Sequence, residues 1–150
     1  MKFEDEIRTK FESKDIKKKA LMNVVYTGLW MEAQMIEILK PIGINDQHFN
    51  ILRILRGRYP NNACPGEIKE NLINKRGDLT RLLDKLVEMG YVSRETNHEN
   101  RRMVDINITK DGLELLRLLD EKLDYQNVML KKISESEAQQ LTTILDKIRT

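Results

Sequence analysis

The amino-acid sequence predicts a mainly helical α+β fold in which four helices precede one hairpin and further helices follow it. Apolar residues recur with the 3.6-residue period of a helix over most of the chain. Between Tyr91 and Ile108 the period changes to two, which is typical of paired strands. The helical period then resumes towards the C-terminus.

The size and composition predict one soluble domain. The chain has 150 residues, of which 33% are charged and 40% hydrophobic, and its apolar runs are too short to cross a bilayer. The N-terminus alternates acids and bases and lacks the apolar stretch of a secretory signal. We therefore expect a single domain over residues 1–150, located in the cytoplasm.

The first long helix is predicted over Ile16–Leu39, a proline-free segment that Pro41 and Gly43 end. The fifteen residues before it are polar enough to be partly frayed. Asn45 or Asp46 can cap the next helix, which is expected to be central and to stop at Gly57. Its inward residues are Phe49, Ile51, Leu52, Ile54 and Leu55.

A third and a fourth helix follow, separated by a turn over residues 74–77. After a loop from Tyr59 to Ala63, Pro65 fits the first position of a short helix that carries Ile68 and Leu72 inward. The fourth helix, over residues 77–89, has the strongest apolar stripe in the chain, and Gly90 stops it. The stripe consists of Leu79, Leu82, Leu83, Leu86 and Val87.

The hairpin pairs residues 91–96 with residues 104–108 across a turn-rich segment that begins at Asn97. Thr109 can cap a helix that runs through Leu113, Leu116, Leu119, Leu123 and Leu130. Ser134 and Glu137 form the sequence pattern of a capping box. A last helix then presents Ala138, Leu141, Leu145 and Ile148 on one face.

Two short helices joined by a tight turn and followed at once by a hairpin predict a winged helix-turn-helix, whose second helix enters the DNA major groove. Basic residues gather at the start of that helix, where side chains can reach base edges, and free backbone N–H groups there would attract a phosphate. The acids Asp84 and Glu88 lie farther along it. The candidate contacts are Lys75, Arg76, Thr80, Arg81 and Lys85.

The hairpin turn adds His98, Arg101 and Arg102, on an arm long enough to reach an adjacent minor groove. Each of these features has an ordinary structural explanation when taken alone, because amphipathic helices and hairpin turns are commonly charged. The order of the elements favours DNA binding.

At these residues the sequence resembles the MarR family of bacterial transcription regulators. The stretch GDLTRLLDKLVEMGYVSR, residues 77–94, is similar to the family's recognition helix and first wing strand. The stretch NRRMVDINITKDG, residues 100–112, is similar to its wing signature. The helices on either side match as well, so the resemblance covers nearly the whole chain.

The resemblance implies roles for individual residues. Arg102 would enter the minor groove, Arg101 would contact a phosphate, and Thr80 and Arg81 would contact the major groove. Asn100 stands where the family has an aspartate whose ion pair steadies the wing, and Glu99 is a candidate substitute.

The resemblance also implies a homodimer, with residues 45–110 as the DNA-binding part and residues 1–44 and 111–150 as the dimerisation part. Apolar stripes at both ends of the chain agree, since a monomer would expose them. The expected partner is a near-palindromic DNA operator, and repression is the commoner outcome in the family. Members often release DNA when a small aromatic or phenolic effector binds, and Tyr26 and Trp30 can line such a pocket or belong to core or dimer packing.

Other functional classes find little support. The sequence lacks a phosphate-binding glycine loop, a serine nucleophile turn and paired catalytic carboxylates, so no enzyme is expected. No cofactor or metal is expected either, since His48 and His98 are isolated and Cys64 is interpreted as a plain thiol. The main alternative is a winged-helix module used only for protein–protein contacts.

Overall fold

The structure is a computed structural model that describes residues 2–123 and 130–150. Seven helices and one antiparallel pair of strands form within these ranges, which confirms the predicted mainly helical α+β class. The elements are α1 (Phe3–Glu6), α2 (Ile16–Leu39), α3 (Asp46–Arg58), α4 (Pro65–Asn71), α5 (Leu79–Glu88), β1 (Val92–Thr96), β2 (Val104–Ile108), α6 (Lys110–Lys122) and α7 (Glu135–Arg149).

Helix α2 has the predicted bounds, and a 3-10 turn over Lys40–Ile42 follows it. Asn45 then caps α3, because its side-chain oxygen accepts the backbone N–H of His48 at 2.9 Å. In return, the Nδ1 atom of His48 accepts the backbone N–H of Asn45 at 3.1 Å. This reciprocal pair fixes where the central helix begins.

The predicted ends of two helices are wrong. Helix α3 continues through Gly57 to Arg58, and it ends before Tyr59, whose conformation is restricted by the proline that follows it. Helix α6 ends at Lys122, whereas the prediction carried it to Leu130. Leu123 is buried in the core without being helical, so its place in the apolar pattern did not mark a further turn of helix. Residues 124–129 lie outside the described ranges.

The N-terminal segment is more structured than the expectation of partial fraying. Phe3 in α1 stacks on Phe11 with ring centroids 6.1 Å apart, and it also contacts the ring of Tyr26 on α2 at 5.6 Å. Lys19 on α2 forms an ion pair with Glu4 at 3.0 Å. These contacts hold α1 against α2. The polar composition of the first fifteen residues did not indicate them.

The hairpin is joined to the helices on both sides. Val92 pairs with Ile108 and Thr96 with Val104 in the antiparallel register. The loop before α4 adds a bridge, in which Ala63 and Ile106 exchange backbone hydrogen bonds of 2.8 and 2.9 Å. On the other side, Thr109 caps α6 by accepting the N–H of Gly112 at 3.1 Å. The wing is therefore fixed at its base to the loop before α4 and continues directly into the capped start of α6.

The core forms around α3, which contacts α2, α4, α5, α6 and β2. Ser134 and Glu137 form the predicted capping box of α7. None of the described helices is long and apolar enough to span a membrane. The fully buried side chains include Leu52, Leu55, Ile68, Leu83, Leu86, Ile106, Leu116 and Leu119.

Candidate nucleic-acid interface

Helix α5 presents a polar outer face to solvent. Its leucines Leu82, Leu83 and Leu86 are buried against the core, as the stripe predicted. Val87 is 38% exposed, so the stripe is narrower than predicted. The exposed side chains of the helix include Thr80, Arg81, Asp84, Lys85 and Glu88. A helix with this division can lie on the protein by one face and offer the other to a ligand.

The start of α5 differs from its predicted start at Gly77. Gly77 has a left-handed φ of 100°, which glycine adopts at little cost, and Asp78 is the N-cap. The Asp78 carboxylate accepts the backbone N–H groups of Thr80 at 3.0 Å and Arg81 at 3.4 Å. These two N–H groups are therefore satisfied inside the protein, and the expectation that they are free to attract a phosphate is wrong.

The turn before α5 carries Lys75 and Arg76, both exposed. Asn74 closes this turn, since its side-chain oxygen accepts the backbone N–H of Arg76 at 3.0 Å. Two amide side chains of α3, those of Gln47 and Asn50, make hydrogen bonds to the segment 73–76. The turn is thus held in one conformation beside α3.

The wing is the hairpin from Val92 to Ile108, and its turn is organised by Asn97. The Asn97 side-chain oxygen accepts the backbone N–H groups of Glu99 at 3.0 Å and Asn100 at 2.8 Å. Its amide nitrogen donates to both carboxylate oxygens of Asp105 at 3.1 Å. Glu99 was a candidate to replace the family's wing aspartate in its ion pair. This expectation is wrong, because Glu99 forms no ion pair with any residue in 2–123 or 130–150. Hydrogen bonds of the Asn97 side chain to the turn backbone and to the Asp105 carboxylate steady this wing instead.

The wing tip exposes His98, Arg101 and Arg102. The backbone N–H of Arg102 donates to the Asn100 side chain at 3.1 Å. Asn100, which stands in place of the family's aspartate, therefore still orders the backbone next to the two arginines. Both guanidinium groups extend from a turn that is closed by hydrogen bonds. They are therefore presented on an ordered support rather than on a loose loop.

All eight residues predicted to contact DNA are exposed, and within the described part of the chain none of them forms a salt bridge. Six of the eight carry a positive charge: three lie near the start of α5, Lys85 lies farther along this helix, and two lie at the wing tip. Unpaired surface cations attract phosphate groups, and this attraction supplies most of the non-specific affinity for DNA. Helix α5 and the wing therefore both expose positive charge that a phosphate group would attract.

An ion pair connects these two elements. The Nη1 atom of Arg94, on β1, lies 2.8 Å from the Oδ1 atom of Asp84, on α5. Sequence patterns placed both residues on their elements but did not pair them. One acid on the outer face of the recognition helix is thus neutralised from the wing.

Lys85 lies apart from the helix start, at a groove between α3 and α5. This cavity of about 590 Å³ is lined by the first residues of α3 and by Arg81, Lys85 and Glu88 of α5. His48 is buried at its wall, and burial, followed by the positive charge of Lys85, lowers the pKa of the imidazole. Lys85 is therefore directed towards α3.

The predicted effector residues Tyr26 and Trp30 line a separate cavity of about 370 Å³. Its walls come from α1 and α2, with Phe3 and Glu6 opposite the two aromatic side chains. The Tyr26 hydroxyl donates to the Glu6 carboxylate at 2.7 Å, and this hydrogen bond raises the pKa of Tyr26. No residue of α3, α4 or α5 lines this cavity, so Tyr26 and Trp30 lie at a contact between α1 and α2.

Cys64 is the N-cap residue of α4. Its backbone N–H donates to the Glu67 carboxylate at 2.9 Å, and this bond is the main cause of a lowered pKa of Glu67. The cysteine therefore has a structural role at a helix start. In the ranges that the structure describes, no three or more His, Cys, Asp or Glu side chains are grouped to hold a metal ion.

Several supporting residues were not identified from the sequence. Asp78 and Asn97 had local signals, since aspartate before a helical stripe and asparagine at the first position of a turn are common capping residues. Gln47 and Asn50 had none. They contact residues more than twenty positions away, and such contacts leave no periodic pattern.

Comparison with known proteins identifies the family. A model described as the MarR family matches residues 44–104, from the start of α3 to the second wing strand. The multiple antibiotic resistance protein MarR of Escherichia coli (strain K12) is 30% identical over 116 residues, which cover 75% of this chain and 78% of that protein.

Solved structures agree with this match. The crystal structure of a MarR transcription factor from Planctomyces limnophilus has a TM-score of 0.69 and 29% identity, and it covers 91% of this chain and 98% of its own. The crystal structure of a mutant MarR from E. coli complexed with operator DNA has a TM-score of 0.70 and 25% identity. The match covers 92% of this chain and 99% of that MarR chain. With its α5 and wing arranged as described, the chain therefore belongs to the MarR family of winged-helix transcription regulators and is not an enzyme.

Proposed function

We propose that the protein acts in the cytoplasm as a homodimeric repressor that binds a near-palindromic DNA operator. The observation that carries this proposal is the set of eight exposed side chains in the turn before α5, on α5 and at the wing tip, none of which forms a salt bridge with a described residue. The resemblance in fold to a MarR bound to operator DNA supports the same surface. Two such surfaces related by a twofold axis would bind half-sites about one DNA turn apart, roughly 34 to 36 Å.

Each element would have a distinct role on the duplex. Thr80 and Arg81, in the first turn of α5, would contact base edges in the major groove. Lys75 and Arg76 would contact phosphates beside it, with Lys85 at the edge of the surface. Arg102 would enter the minor groove, while His98 and Arg101 would contact its backbone. Phosphate contacts position the protein, and base contacts select the sequence.

Exposed apolar residues on α2 and α7 support the homodimer. Leu21, Val25 and Leu29 follow each other at four-residue intervals on α2, and each is more than half exposed. On α7, Ile144 and Ile148 are 56% and 59% exposed. Soluble proteins seldom leave such stripes in water, and a second copy of the chain would cover them.

A small aromatic effector remains part of the proposal. Tyr26 and Trp30 offer ring surfaces, and their cavity is bounded by helices of the dimerisation part. Trp30 is the single tryptophan of the chain, so its fluorescence reports on this cavity alone. Titration with phenol should quench it if the cavity takes a phenolic ligand, and an unchanged spectrum at saturating phenol would count against the cavity.

Selection of bound duplexes from a random DNA pool tests the main proposal. We expect recovery of an inverted repeat whose half-sites are one helical turn apart. We also expect the affinity for it to decrease steeply as the salt concentration rises, because each phosphate contact releases counterions. Recovery of no common sequence would contradict sequence-specific binding.

The alternative is a winged-helix module that binds only other proteins. It predicts weak DNA binding that does not change when Arg81 or Arg102 is replaced by alanine. The same selected duplex distinguishes the two functions, since the proposed regulator loses affinity in both variants.

A further inference from the structure

We propose that Gln47 is a positioning residue for DNA recognition, because its side-chain amide holds the turn before α5 in the orientation that contacts to the DNA bases require. This inference rests on the proposed function, since it assigns to a residue of α3 a role in operator binding. Gln47 lies on α3, which is separated from α5 in the sequence by the short helix α4.

The geometry is a tether between distant parts of the chain. Gln47 Nε2 donates to the backbone carbonyl of Asn74 at 3.4 Å and to that of Arg76 by a shorter bond. These carbonyls are 27 and 29 positions away in the sequence. One amide group therefore connects the start of α3 to two points on the turn that leads into the recognition helix.

Close packing at Gly77 adds to this tether. A Cβ atom built on Gly77 would lie 3.4 Å from both the Nε2 and the Oε1 atoms of Gln47, so the amide lies against the glycine backbone. Gly77 also has the left-handed φ of 100° at which the chain turns into α5. The amide is thus in contact with the residue where the chain changes direction.

A second amide of α3 holds the other end of the same turn. Asn50 lies three positions after Gln47, on the same side of the helix, and its side-chain oxygen accepts the backbone N–H of Ile73 at 2.9 Å. The Asn74 side chain then closes the turn on the Arg76 N–H. Gln47 and Asn50 together fix the turn at its start and at its end.

This position matters because the turn carries Lys75 and Arg76 and leads to Thr80 and Arg81. Base contacts depend on direction and distance, whereas the attraction between cations and phosphates tolerates reorientation. Loosening the turn should therefore weaken binding to the operator more than binding to an unrelated duplex. The ratio of the operator affinity to the affinity for the unrelated duplex therefore distinguishes a positioning role from a contribution to folding. A contribution to folding would reduce both affinities in proportion.

The test replaces Gln47 by methionine, which keeps the length of the side chain and removes the amide donor. Gln139→Met is the matched control, since Gln139 is exposed on α7 and lies away from its apolar face. Fluorescence anisotropy measures the dissociation constants for the selected operator and for a scrambled duplex of equal length. Amide hydrogen exchange measures the protection of Ile73 and Arg76.

For Gln47→Met we expect the operator affinity to decrease about three- to tenfold, the range that the loss of a single net hydrogen bond produces. The affinity for the scrambled duplex should stay within about twofold, and exchange at Arg76 should become faster. Gln47→Lys restores a donor of similar reach, and it should recover most of the operator-to-scrambled ratio. The control variant should match the wild type in all three measurements.

Equal loss on both duplexes, or an unchanged ratio with unchanged exchange, would overturn the inference. If Gln47→Met does not fold, Gln47→Leu, which also lacks the amide donor, takes its place in the same measurements. If the wild-type protein itself prefers no duplex, the proposed function is wrong, and exchange at Arg76 then decides whether Gln47 holds the turn.

Discussion

Asp84 on the recognition helix and Arg94 on the first wing strand form an ion pair across the two elements that are proposed to contact DNA. The Asp84 side chain is 58% exposed, so the pair contributes at most about 1 kcal/mol to stability. Its larger effect is electrostatic. It places a carboxylate beside an arginine that would otherwise be available to phosphates.

Replacing Asp84 by asparagine should therefore raise the affinity for DNA of any sequence. The change frees Arg94 and removes a negative charge close to the duplex, so we expect binding to a scrambled duplex to strengthen several-fold and the operator-to-scrambled ratio to decrease. Glu88→Gln is the control, because it removes the same charge from α5 but breaks no ion pair within residues 2–123 and 130–150. Anisotropy titrations on both duplexes measure the effect, and equal behaviour of the two variants would argue against a specific role of the pair.

Replacing Arg102 by alanine should weaken operator binding about tenfold, the order expected for one lost arginine contact. The helix content and the oligomeric state should not change, since the Arg102 side chain forms no salt bridge with a residue that the structure describes. Arg117→Ala serves as the control. It also removes one positive charge, but from an exposed network with Glu114 and Glu121 on α6. If the two variants bind the operator alike, the wing does not take part.

The sequence predicted elements whose signal is local. The bounds of α2 and β2 and the buried leucines of α5 follow from apolar periods of 3.6 or two residues. Such a period can be recognised within a short segment of the chain. The exposure of the basic residues followed from the same periods. The position of the eight candidate contacts was thus predicted from the order of the elements.

What the sequence did not reveal depends on contacts between distant residues. The stacking of Phe3 on Phe11 and its contact with Tyr26 form α1 in a segment that is polar overall. Likewise, the pair of Asp84 with Arg94 and the tether from Gln47 to the turn require the fold before they can be identified. Helix ends at Arg58 and Lys122 were also missed, because apolar periodicity describes a buried face rather than the place where a helix stops.

Two glycine-to-alanine changes should have opposite effects on stability. At Gly112 a Cβ atom would lie 2.4 Å from the carbonyl oxygen of Tyr91 and 2.7 Å from Cγ1 of Ile108, and the first of these is backbone that cannot easily move. We expect Gly112→Ala to lower the free energy of unfolding by about 1–3 kcal/mol. At Gly57, in the last turn of α3, no atom beyond the neighbouring backbone of its own helix lies within 4 Å of the added Cβ, so Gly57→Ala should raise the free energy of unfolding by about 0.5–1 kcal/mol. Urea denaturation measures both, and a stabilised Gly112→Ala would contradict the packing of the wing base on α6.

Burial of His48 should make stability depend on pH. Desolvation is the main cause that lowers its pKa below 6.5, the charge of Lys85 acts in the same direction, and Asp46 opposes them. The unfolded chain then binds a proton at pH values where the folded protein does not. The free energy of unfolding should therefore decrease as the pH is lowered through 6.5 towards the folded pKa.

The variant His48→Gln isolates this contribution. Glutamine can still accept the Asn45 N–H through its side-chain oxygen, so the capping box is kept while the titrating group is removed. Urea denaturation of both proteins, from about pH 8 to about pH 5, should show a steeper loss of stability for the wild type. Carboxylates titrate equally in the two proteins and cancel in the difference. Parallel curves would show that His48 is protonated as readily in the folded protein as in the unfolded chain.

Introducing a charge on the apolar face of α7 tests the homodimer. Ile144 is 56% exposed in the single chain, so Ile144→Glu should leave the fold of each subunit unchanged, yet it would bury a carboxylate in the proposed interface. We expect a monomer by light scattering and a loss of operator binding, because two half-sites can no longer be held at once. Gln139→Glu places the same charge on the opposite side of α7 and should remain dimeric. An Ile144→Glu variant that is monomeric but binds the operator with full affinity would mean that one subunit is sufficient for recognition.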